Sequence, residues 1–466
     1  MMNYVLRLTG EQHAQLKTHL FPGDGMEAAA LVLCGRLRGC GRHAIMARKI
    51  VLIPYADCER TAVTITWPTR FADDLINEAA KRGMAILKVH SHPLGMDTFS
   101  GYDDKSDASF LGSVSTMLED KQPHASAVML PCGRMFARML NDKGEFQPVG
   151  LVSMVGEDVD LWHAGAGRDI PEFARRHAQV FGAGTVDCLR RLRIAVIGCS
   201  GTGTPLIEQL VRLGVGFLVL VDPDRSEWKN LNRMYMTRAA DANLGRFKVE
   251  VLAEAIGHIG LGTEVVPLAK DLATPDVIRA VACCDLVFGC TDSFAARDIL
   301  NRLATFYTLP YIDMGVQLRA LPAGGIHQIT GAVHYLQPGK SSLKSRGIYD
   351  SEDVRAELMK RDDPDEYEKQ LPQKYIKDVQ EDRPAVISVN SMVASMAVNE
   401  MLSRIHRFRY DDNNAYATLR YAVHEPHVFK DAEGDLKVCP VLSKEVGRGD
   451  VTPLLDRPEL SEGGKV

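Results

Sequence analysis

Apolar and polar positions along the first part of the chain predict strands and helices in turn. Apolar runs of strand length lie at residues 50–54, 62–67, 85–90 and 125–130, and residues 71–82 and 103–120 show the pattern of helices that bury one face. Short apolar runs bounded by turn residues favour strands, and a period near 3.6 favours helices. We therefore predict an α/β domain over residues 1–150.

The pattern is interrupted and then resumes. Residues 151–170 are rich in glycine and are predicted to form a linker. Strands and helices alternate again over residues 171–430, which predicts a second α/β domain with a mainly parallel sheet. Within it, residues 340–384 are too charged for a core, and we expect a mobile crossover segment. Residues 431–466 are predicted to be a C-terminal tail.

Length and composition narrow the class of protein. A chain of 466 residues fits two or three domains, and 45% hydrophobic with 25% charged residues is typical of a globular protein. The net charge of −5, with both signs interspersed, gives no indication of nucleic acid or anionic lipid as a partner. No apolar run approaches the ~20 residues of a membrane span, and no signal peptide is evident. Ten cysteines without a Cys-x-x-Cys pair favour free thiols and a cytoplasmic location.

The first candidate chemistry lies at the end of the run 85–90. His90 and His92 flank one residue, seven residues separate His92 from Ser100, and two separate Ser100 from Asp103. In an extended segment, residues i and i+2 point to the same side, so both imidazoles can face one metal ion while Asp103 supplies a third ligand. Three protein ligands plus water make up a catalytic zinc site. The alternative is that the histidines are ordinary polar residues, with Ser100 and Asp103 capping the next helix.

The spacing His-x-His, seven residues, Ser-x-x-Asp resembles the motif of the JAB/JAMM (MPN) metallopeptidases, which cleave isopeptide or peptide bonds after ubiquitin-like proteins. The resemblance implies a Zn²⁺ site at His90, His92 and Asp103. It also implies a general base, for which Glu27 is the candidate because it precedes the apolar run 28–34. Ser100 is then expected to hydrogen-bond the oxyanion.

Alternatives to Glu27 remain open at this point. Glu59 and Glu78 are competing acids upstream of His90, and Glu27 could also be a solvated acid in the first turn of a helix.

A second candidate site begins with an apolar strand, residues 193–197, that enters a glycine-rich turn. A helix at 204–213 and a second strand at 217–221 follow, and that strand ends in Asp222. The turn glycines are Gly198, Gly201 and Gly203. Glycines let the backbone approach phosphates, a helix N-terminus favours anions, and an acid at the end of the second strand binds ribose hydroxyls. This pattern predicts a nucleotide-binding Rossmann-like unit, although the glycine order is not that of dinucleotide-binding proteins.

Further motifs follow in order at Asn230-Leu231-Asn232-Arg233, Gly245-Arg246-Phe247-Lys248 and Cys290-Thr291-Asp292-Ser293. Together with the glycine turn, they make residues 173–401 similar to the ThiF/MoeB family of ubiquitin-activating-type adenylating enzymes. The resemblance implies that the turn and Asp222 bind ATP, that Asn230 lies in the Asn-x-x-Arg motif, and that Arg233 and Lys248 contact phosphates. Asp292 is expected to position Mg²⁺ and the attacking carboxylate.

The resemblance also implies a homodimer, because Arg176 aligns with a family arginine that reaches the partner subunit's ATP site. One departure stands out. Relatives often bind a structural zinc with two Cys-x-x-Cys pairs, whereas this chain has Ser342, Ser345 and Cys439 at the apparent equivalents. A single thiolate cannot hold zinc, so we expect that site to be lost. No cysteine lies between Cys290 and Cys439 to accept a thioester, which leaves direct release of the adenylate or a serine oxyester.

The fold class predicted from the sequence is therefore α/β, with a JAMM/MPN domain followed by a ThiF-type domain. The predicted function is a bifunctional enzyme of a prokaryotic ubiquitin-like conjugation system, with antiphage defence as one setting. It would use Zn²⁺, ATP and Mg²⁺, process a ubiquitin-like protein and activate its C-terminal Gly, with a conjugating enzyme as a further partner. Activation of a sulfur carrier for cofactor biosynthesis and a non-catalytic scaffold remain alternatives.

Overall fold

The computed structural model describes residues 3–39, 41–320, 325–371 and 385–460. The chain divides into two compact units that each draw on separated segments. Unit 1 consists of Met1–Ala166, Phe306–Thr308 and Glu445–Pro458, and unit 2 consists of Gly167–Thr305, Leu309–Lys444 and Glu459–Val466. Within the described residues, none of the helices has both the length and the apolar composition that a bilayer crossing requires.

In its described residues, unit 1 combines strands with the helices α1, α2 and α3. Its elements are β1 (Asn3–Thr9), α1 (Gly10–Leu20), β2 (Ala29–Gly39), β3 (Arg42–Leu52), β4 (Glu59–Arg60), β5 (Ile65–Thr66), α2 (Asp73–Arg82), β6 (Ala85–Ser91), α3 (Gly101–Leu118), β7 (His124–Met129), β8 (Met135–Leu140), β9 (Phe146–Val155) and β10 (Val159–His163). The strand order β1-β3-β2-β6-β7-β8-β9-β10, together with a parallel pairing of β1 with β9, closes seven strands into a barrel.

Alternate residues of β2 and β6 point into two different apolar clusters. Val32 and Leu87 belong to the cluster that also takes in α1, whereas Leu31 and Ile86 pack against α2 and α3. Because side chains alternate along a strand, Lys88 and His90 share the face of Ile86 and are directed toward the helical layer. This register brings the polar end of β6 beneath α3.

Two predicted boundaries differ in the structure. Half of the linker expected at 151–170 is strand, because β9 continues to Val155 and β10 pairs with it in an antiparallel register. The expected tail also returns to unit 1, where Gly449 bridges Arg36. Gly449 has a φ of +65°, and a Cβ there would stand 2.3 Å from the carbonyl oxygen of Arg36, so a larger residue would not fit.

Unit 2 alternates helices and strands. Its elements are α4 (Arg175–Arg191), β11 (Arg193–Ile197), α5 (Gly203–Leu213), β12 (Phe217–Val221), α6 (Ala239–Leu244), α7 (Lys248–Ile259), β13 (Glu264–Leu268), α8 (Pro275–Ala282), β14 (Leu286–Gly289), α9 (Phe294–Phe306), β15 (Tyr311–Ala320), β16 (Ile326–Leu336), α10 (Ser351–Asp362), α11 (Pro364–Gln370), α12 (Ile387–His406), β17 (Thr418–Ala422) and β18 (His427–Asp431). The last residue of α9 is assigned to unit 1.

The sheet of unit 2 has the order β13-β12-β11-β14-β15-β16-β17-β18. Pairings from β13 to β15 are parallel, and those from β15 to β18 are antiparallel. The prediction of a mainly parallel sheet therefore describes only the half of the sheet from β13 to β15. In that half, helical crossovers join the strands, which is the connection that parallel pairing requires.

The segment predicted to be mobile, 340–384, contains α10 and α11 in its described part. The side chains of Asp350 and Asp363 cap the N-termini of these helices, so part of the charge in this segment belongs to helix caps. Ala356 and Tyr367 are buried between them. Residues 372–384 lie outside the described part of the chain.

Candidate functional site

The first candidate site in unit 1 is a buried triad at the junction of β6 and α3. The Nε2 atoms of His90 and His92 lie 3.2 Å apart. Asp103 Oδ1 is 3.1 Å from His90 Nε2, and Asp103 Oδ2 is 3.4 Å from His92 Nε2. All three side chains are buried, and their ligand atoms lie within 4.8 Å of one another. The three residues expected to bind zinc are therefore brought together.

The triad's hydrogen bonds suit a cation site. His92 Nδ1 lies 2.7 Å from the carbonyl oxygen of Met96, which it reaches as a donor, and this leaves the lone pair on Nε2 directed at the triad. Burial opposes ionisation of Asp103, but the facing imidazoles and the Ser100 N–H hold the pKa of this carboxyl well below its usual range. Two imidazole nitrogens and an ionised carboxylate form a donor set that zinc accepts.

Ser100 fulfils the capping role that was the alternative interpretation. Its hydroxyl donates to Asp103 Oδ2 at 2.7 Å, and it accepts the Asp103 N–H at 3.1 Å, which completes a capping box at the start of α3. Asp103 therefore caps the helix and faces the histidines at the same time. The capping and metal-binding interpretations are compatible in this structure.

Glu27 is buried just before β2, with 3% of its surface exposed. Ala29 pairs with His90, and Ser91 donates its N–H to the Ala28 carbonyl at 3.0 Å, so this register sets Glu27 opposite His92. Burial raises the pKa of Glu27 to about 7. Glu27 is therefore not the solvated helical acid of the alternative interpretation.

The competing acids differ in position. Glu59 is exposed in β4, and Glu78 on α2 forms a 3.3 Å ion pair with Lys49. Of the three candidates, Glu27 is the buried acid that the β2–β6 register places opposite the triad.

A second buried polar group, which was not predicted from the sequence, lies beside the triad. Asp107 is fully buried on α3 and accepts hydrogen bonds from Lys88 Nζ at 2.7 Å and from Arg138 Nη2 at 2.8 Å. Lys88 precedes His90 by two residues on β6, and Asp107 follows Asp103 by four on α3. These offsets keep each pair on one face, so the periodicities that indicated the triad could have indicated this contact.

The second candidate site in unit 2 begins at the turn between β11 and α5. Gly198 has a φ of +91°, and a Cβ there would lie 2.7 Å from the Cys290 carbonyl oxygen. A Cβ on Gly201 would lie 2.5 Å from Asn390 Nδ2, and one on Gly203 would lie 2.0 Å from the Gly198 carbonyl oxygen. Gly198 and Gly203 therefore require glycine because backbone oxygens lie too close for a Cβ, whereas at Gly201 side chains would have to shift; the turn leads into the N-terminus of α5.

This turn opens into a cavity of about 1840 Å³. The predicted residues that line it are Gly198, Gly201, Asp222, Asn230, Arg233, Lys248 and Asp292. Gly203 packs against the Gly198 carbonyl and is not among the residues that line the cavity. Arg176 is exposed on α4, outside this cavity. The cavity continues over the antiparallel strands, where His327 and Tyr421 also line it.

Charges at the strand end are already organised. Asp222 Oδ2 accepts the Cys199 N–H at 2.7 Å, and burial raises the pKa of Asp222. Lys248 Nζ lies 2.7 Å from Asp224 Oδ2 and 3.6 Å from Asp222 Oδ1. The ammonium group can neutralise a phosphate chain if it exchanges the exposed carboxylate of Asp224 for the phosphates.

Two predicted residues make structural contacts in this state. The side-chain oxygen of Asn230 accepts the Glu227 N–H at 3.2 Å, and Arg233 Nη1 donates to the Lys229 carbonyl at 2.6 Å. Asn230 is buried, so it supports the loop that presents Arg233. Asp292 is exposed to the cavity.

Arg297 and Asp313 form a buried pair in the same cavity that sequence analysis also missed. Arg297 Nε lies 3.2 Å from Asp313 Oδ1, to which Tyr311 donates its hydroxyl at 2.8 Å. Arg297 lies four residues after Ser293, which directly precedes α9, so its offset was available from the sequence. Asp313 required knowledge of the β14–β15 pairing.

Hydrogen bonds join the two segments at which the resemblance to the ThiF/MoeB family led us to look for cysteine pairs. Ser345 Oγ donates to the Lys437 carbonyl at 2.8 Å, and the Cys439 N–H donates to the Lys340 carbonyl at 3.1 Å. Ser342 and Ser345 also bond to each other through their backbone and hydroxyl groups. These contacts link the two segments directly.

Comparison with known proteins identifies the family of unit 2. The family model described as "ThiF family" matches residues 174–440, more than half of the chain, and the protein belongs to the ThiF family. This finding confirms the resemblance inferred over residues 173–401. The match begins after the His90 triad and does not include it.

Curated relatives match parts of the same region. "Ubiquitin-like modifier-activating enzyme 5" of Culex quinquefasciatus is 27% identical over 166 residues, which cover 33% of this chain and 39% of that protein. "SAMP-activating enzyme E1" of Haloferax volcanii is 32% identical over 146 residues, 31% of this chain and 50% of that protein. "Adenylyltransferase and sulfurtransferase UBA4" of Yarrowia lipolytica is 32% identical over 125 residues, which cover 27% of this chain and 31% of that protein. The chain thus spans half or less of each relative's length.

Solved structures similar to this chain include "Crystal structure of E. coli MccB + ATP". The TM-score is 0.44 at 17% identity, and the match covers 59% of this chain and 74% of that chain.

Proposed function

We propose that unit 2 activates the C-terminal carboxylate of a ubiquitin-like protein by adenylation. The observation that supports this most strongly is the single cavity that holds the glycine turn, Asp222, Lys248 and Asp292 in a chain of the ThiF family. The relatives named as activating enzymes for ubiquitin-like modifiers and SAMP support the same substrate class.

The residues of the cavity have different proposed roles in this reaction. The carboxylate attacks the α-phosphorus of ATP, and the bond between that phosphorus and the oxygen bridging to the β-phosphate breaks. Pyrophosphate leaves, and no proton has to be transferred. Two anions must approach each other, and Lys248 and Arg233 would offset that repulsion. Asp222 would hold the ribose. Asp292 would hold Mg²⁺, which supplies further positive charge at the phosphates when bound.

We also propose that unit 1 is a zinc peptidase for the same class of protein. His90, His92 and Asp103 would hold Zn²⁺, which polarises the scissile carbonyl and lowers the pKa of water when bound. Glu27 would take a proton from the attacking water and deliver it to the leaving amine. Ser100 would donate to the oxyanion, and to do so its hydroxyl must exchange the bond that it now makes to Asp103.

The remaining parts of the proposal follow from these two activities. The substrate is a ubiquitin-like protein ending in Gly, the protein is cytoplasmic, and it forms a homodimer through unit 2 with Arg176 acting in the neighbouring subunit. A conjugating enzyme is a further partner, and antiphage defence is the proposed setting. A second candidate is activation of a sulfur carrier, which the relative named as both adenylyltransferase and sulfurtransferase favours.

Adenylation is tested by ATP–pyrophosphate exchange with ubiquitin-like proteins that end in Gly. Exchange should require such a protein and should be lost in Asp292→Ala, whereas Asp276→Ala, which removes an exposed acid paired with Lys270, should leave it unchanged. Exchange that persists in Asp292→Ala would contradict the proposed role of that residue. Binding of the ubiquitin-like protein without any exchange would favour the scaffold alternative.

The metal site is tested by elemental analysis. We expect one zinc per chain, lost in a His90→Ala, His92→Ala double variant and kept in a His424→Ala, His427→Ala double variant, whose two histidines are exposed in unit 2. Two zincs per wild-type chain, with one left after the first substitution, would contradict the loss of the family's structural zinc.

A further inference from the structure

A carboxylate from the crossover segment completes the start of α9. Glu357, on α10, accepts the N–H groups of Phe294 at 2.6 Å and of Ala295 at 3.2 Å, both through its Oε2 atom. The next N–H, that of Ala296, is accepted by the Ser293 hydroxyl at 3.1 Å. The first N–H groups of a helix have no partner within the helix, and Glu357 accepts two of the first three N–H groups of α9.

This turn directly follows Asp292. Asp292 precedes Phe294 by two residues and has an exposed side chain that lines the cavity. The backbone on its N-terminal side is fixed because the Cys290 N–H donates to the Ile197 carbonyl at 2.7 Å. On its C-terminal side, the turn is held from other parts of unit 2 by the bonds to Glu357 and by the ring of Tyr349, whose centroid lies 6.3 Å from that of the Phe294 ring.

The segment before α10 is attached to α9 as well. Tyr349 donates its hydroxyl to Asp298 at 3.2 Å and accepts the side-chain N–H of Asn301 at 2.8 Å. Two residues of α10, Asp353 and Ala356, line the same cavity as Asp292. The crossover segment therefore forms part of the wall beside Asp292.

We infer that Glu357 is a positioning residue for adenylation: it holds the turn that carries Asp292 in the cavity, without itself contacting the reactants. The inference rests on the proposed function of unit 2. Glu357 acts through hydrogen-bond acceptance, because one oxygen takes both N–H groups. A glutamine can present the same oxygen without the charge, so the role in position can be separated from an electrostatic role.

Three variants test this inference. Glu357→Ala removes the acceptor, Glu357→Gln keeps an acceptor oxygen, and Glu352→Ala removes an exposed acid in the first turn of the same helix as a matched control. The substrate is a ubiquitin-like protein that ends in Gly. The kcat and KM for ATP in pyrophosphate exchange are measured together with hydrogen–deuterium exchange of the amides of residues 290–296.

In Glu357→Ala we expect faster amide exchange at Phe294 and Ala295. We also expect kcat to fall about tenfold, with the KM for ATP within about twofold of the wild type, since a capping interaction is lost but the nucleotide contacts remain. Glu357→Gln should recover most of kcat, and Glu352→Ala should match the wild type. A general loss of folded protein would lower the midpoint of thermal unfolding. It would not specifically combine a lower kcat with a nearly unchanged KM for ATP.

Two results would overturn the inference while the adenylation proposal stands. One is unchanged amide exchange and unchanged kcat in Glu357→Ala, and the other is a Gln variant as impaired as the Ala variant, which would indicate a role for the charge. If the wild-type protein shows no pyrophosphate exchange, the proposed function itself fails. Amide exchange then still decides whether Glu357 holds the turn.

Discussion

The buried contact between α3 and β6 gives the most quantitative prediction for unit 1. In Asp107→Asn, the carboxylate that accepts hydrogen bonds from Lys88 and Arg138 becomes a neutral amide. Lys88 then loses the carboxylate that it pairs with, whereas Arg138 keeps its second ion pair, with Asp104. The side chains of Asp107 and Lys88 are 0% and 4% exposed, so water cannot replace the lost charge. The pair at His90 and Asp103 lies on the same faces of the same two elements.

The size of the effect follows from these contacts. Hydrogen bonds to charged groups contribute about 1.5–3 kcal/mol each, so two of them correspond to about 3–6 kcal/mol. Breaking a buried ion pair by removing one partner costs about 3–5 kcal/mol, which agrees with that range. Since the amide introduced by Asp107→Asn would keep one acceptor oxygen, we expect a loss of about 3–4 kcal/mol in the free energy of unfolding of unit 1.

Urea unfolding followed by tryptophan fluorescence measures this loss. Trp67 and Trp162 lie in unit 1 and Trp228 in unit 2, so a Trp228→Phe background restricts the signal to unit 1. Glu78→Gln is the matched control. Its partner Lys49 is 52% exposed, and loss of such a pair should change the free energy by less than about 1 kcal/mol. An Asp107→Asn effect no larger than that of the control would refute the reasoning.

Three further predictions concern the proposed chemistry. Glu27→Ala should keep zinc yet slow cleavage of a ubiquitin-like fusion by about 10²- to 10⁴-fold, measured by gel-based cleavage rates, and a wild-type rate would exclude it as the base. Mixing Arg176→Ala with Asp292→Ala chains should restore some pyrophosphate exchange, and no recovery in subunits shown to exchange would count against action between subunits. Intact mass after incubation with ATP, Mg²⁺ and a ubiquitin-like protein should show no reductant-labile adduct; one mapped to Cys290 or Cys439 would restore thioester chemistry.

The parts of both sites that the sequence predicted depend on short-range geometry. His90 and His92 share a face because side chains alternate along a strand, and Asp103 follows at the first turn of the next helix. The turn at Gly198 and the position of Asp222 likewise follow from one strand–helix–strand unit. Such features are encoded within a few tens of residues, so their spacing indicates them without knowledge of the whole fold.

The parts that the sequence did not predict depend on contacts between distant segments. The pairing of β1 with β9 closes the barrel, and the return of residues 445–458 to unit 1 reverses the expectation of a tail. Glu357 meets Phe294 across 63 positions of the chain. No local periodicity specifies which distant strand or helix will pack against which, so these contacts appear only in the folded structure.

We propose that the two units act in turn on one ubiquitin-like protein: unit 1 removes residues beyond its terminal Gly, and unit 2 then activates that Gly. The most direct measurement is the intact mass of a ubiquitin-like protein with a short extension after its terminal Gly, incubated with the zinc-loaded enzyme before and after addition of ATP and Mg²⁺. We predict loss of the extension without ATP, and pyrophosphate exchange that begins only after the Gly is exposed. An extension that stays attached, or exchange with the extension still in place, would contradict the claim.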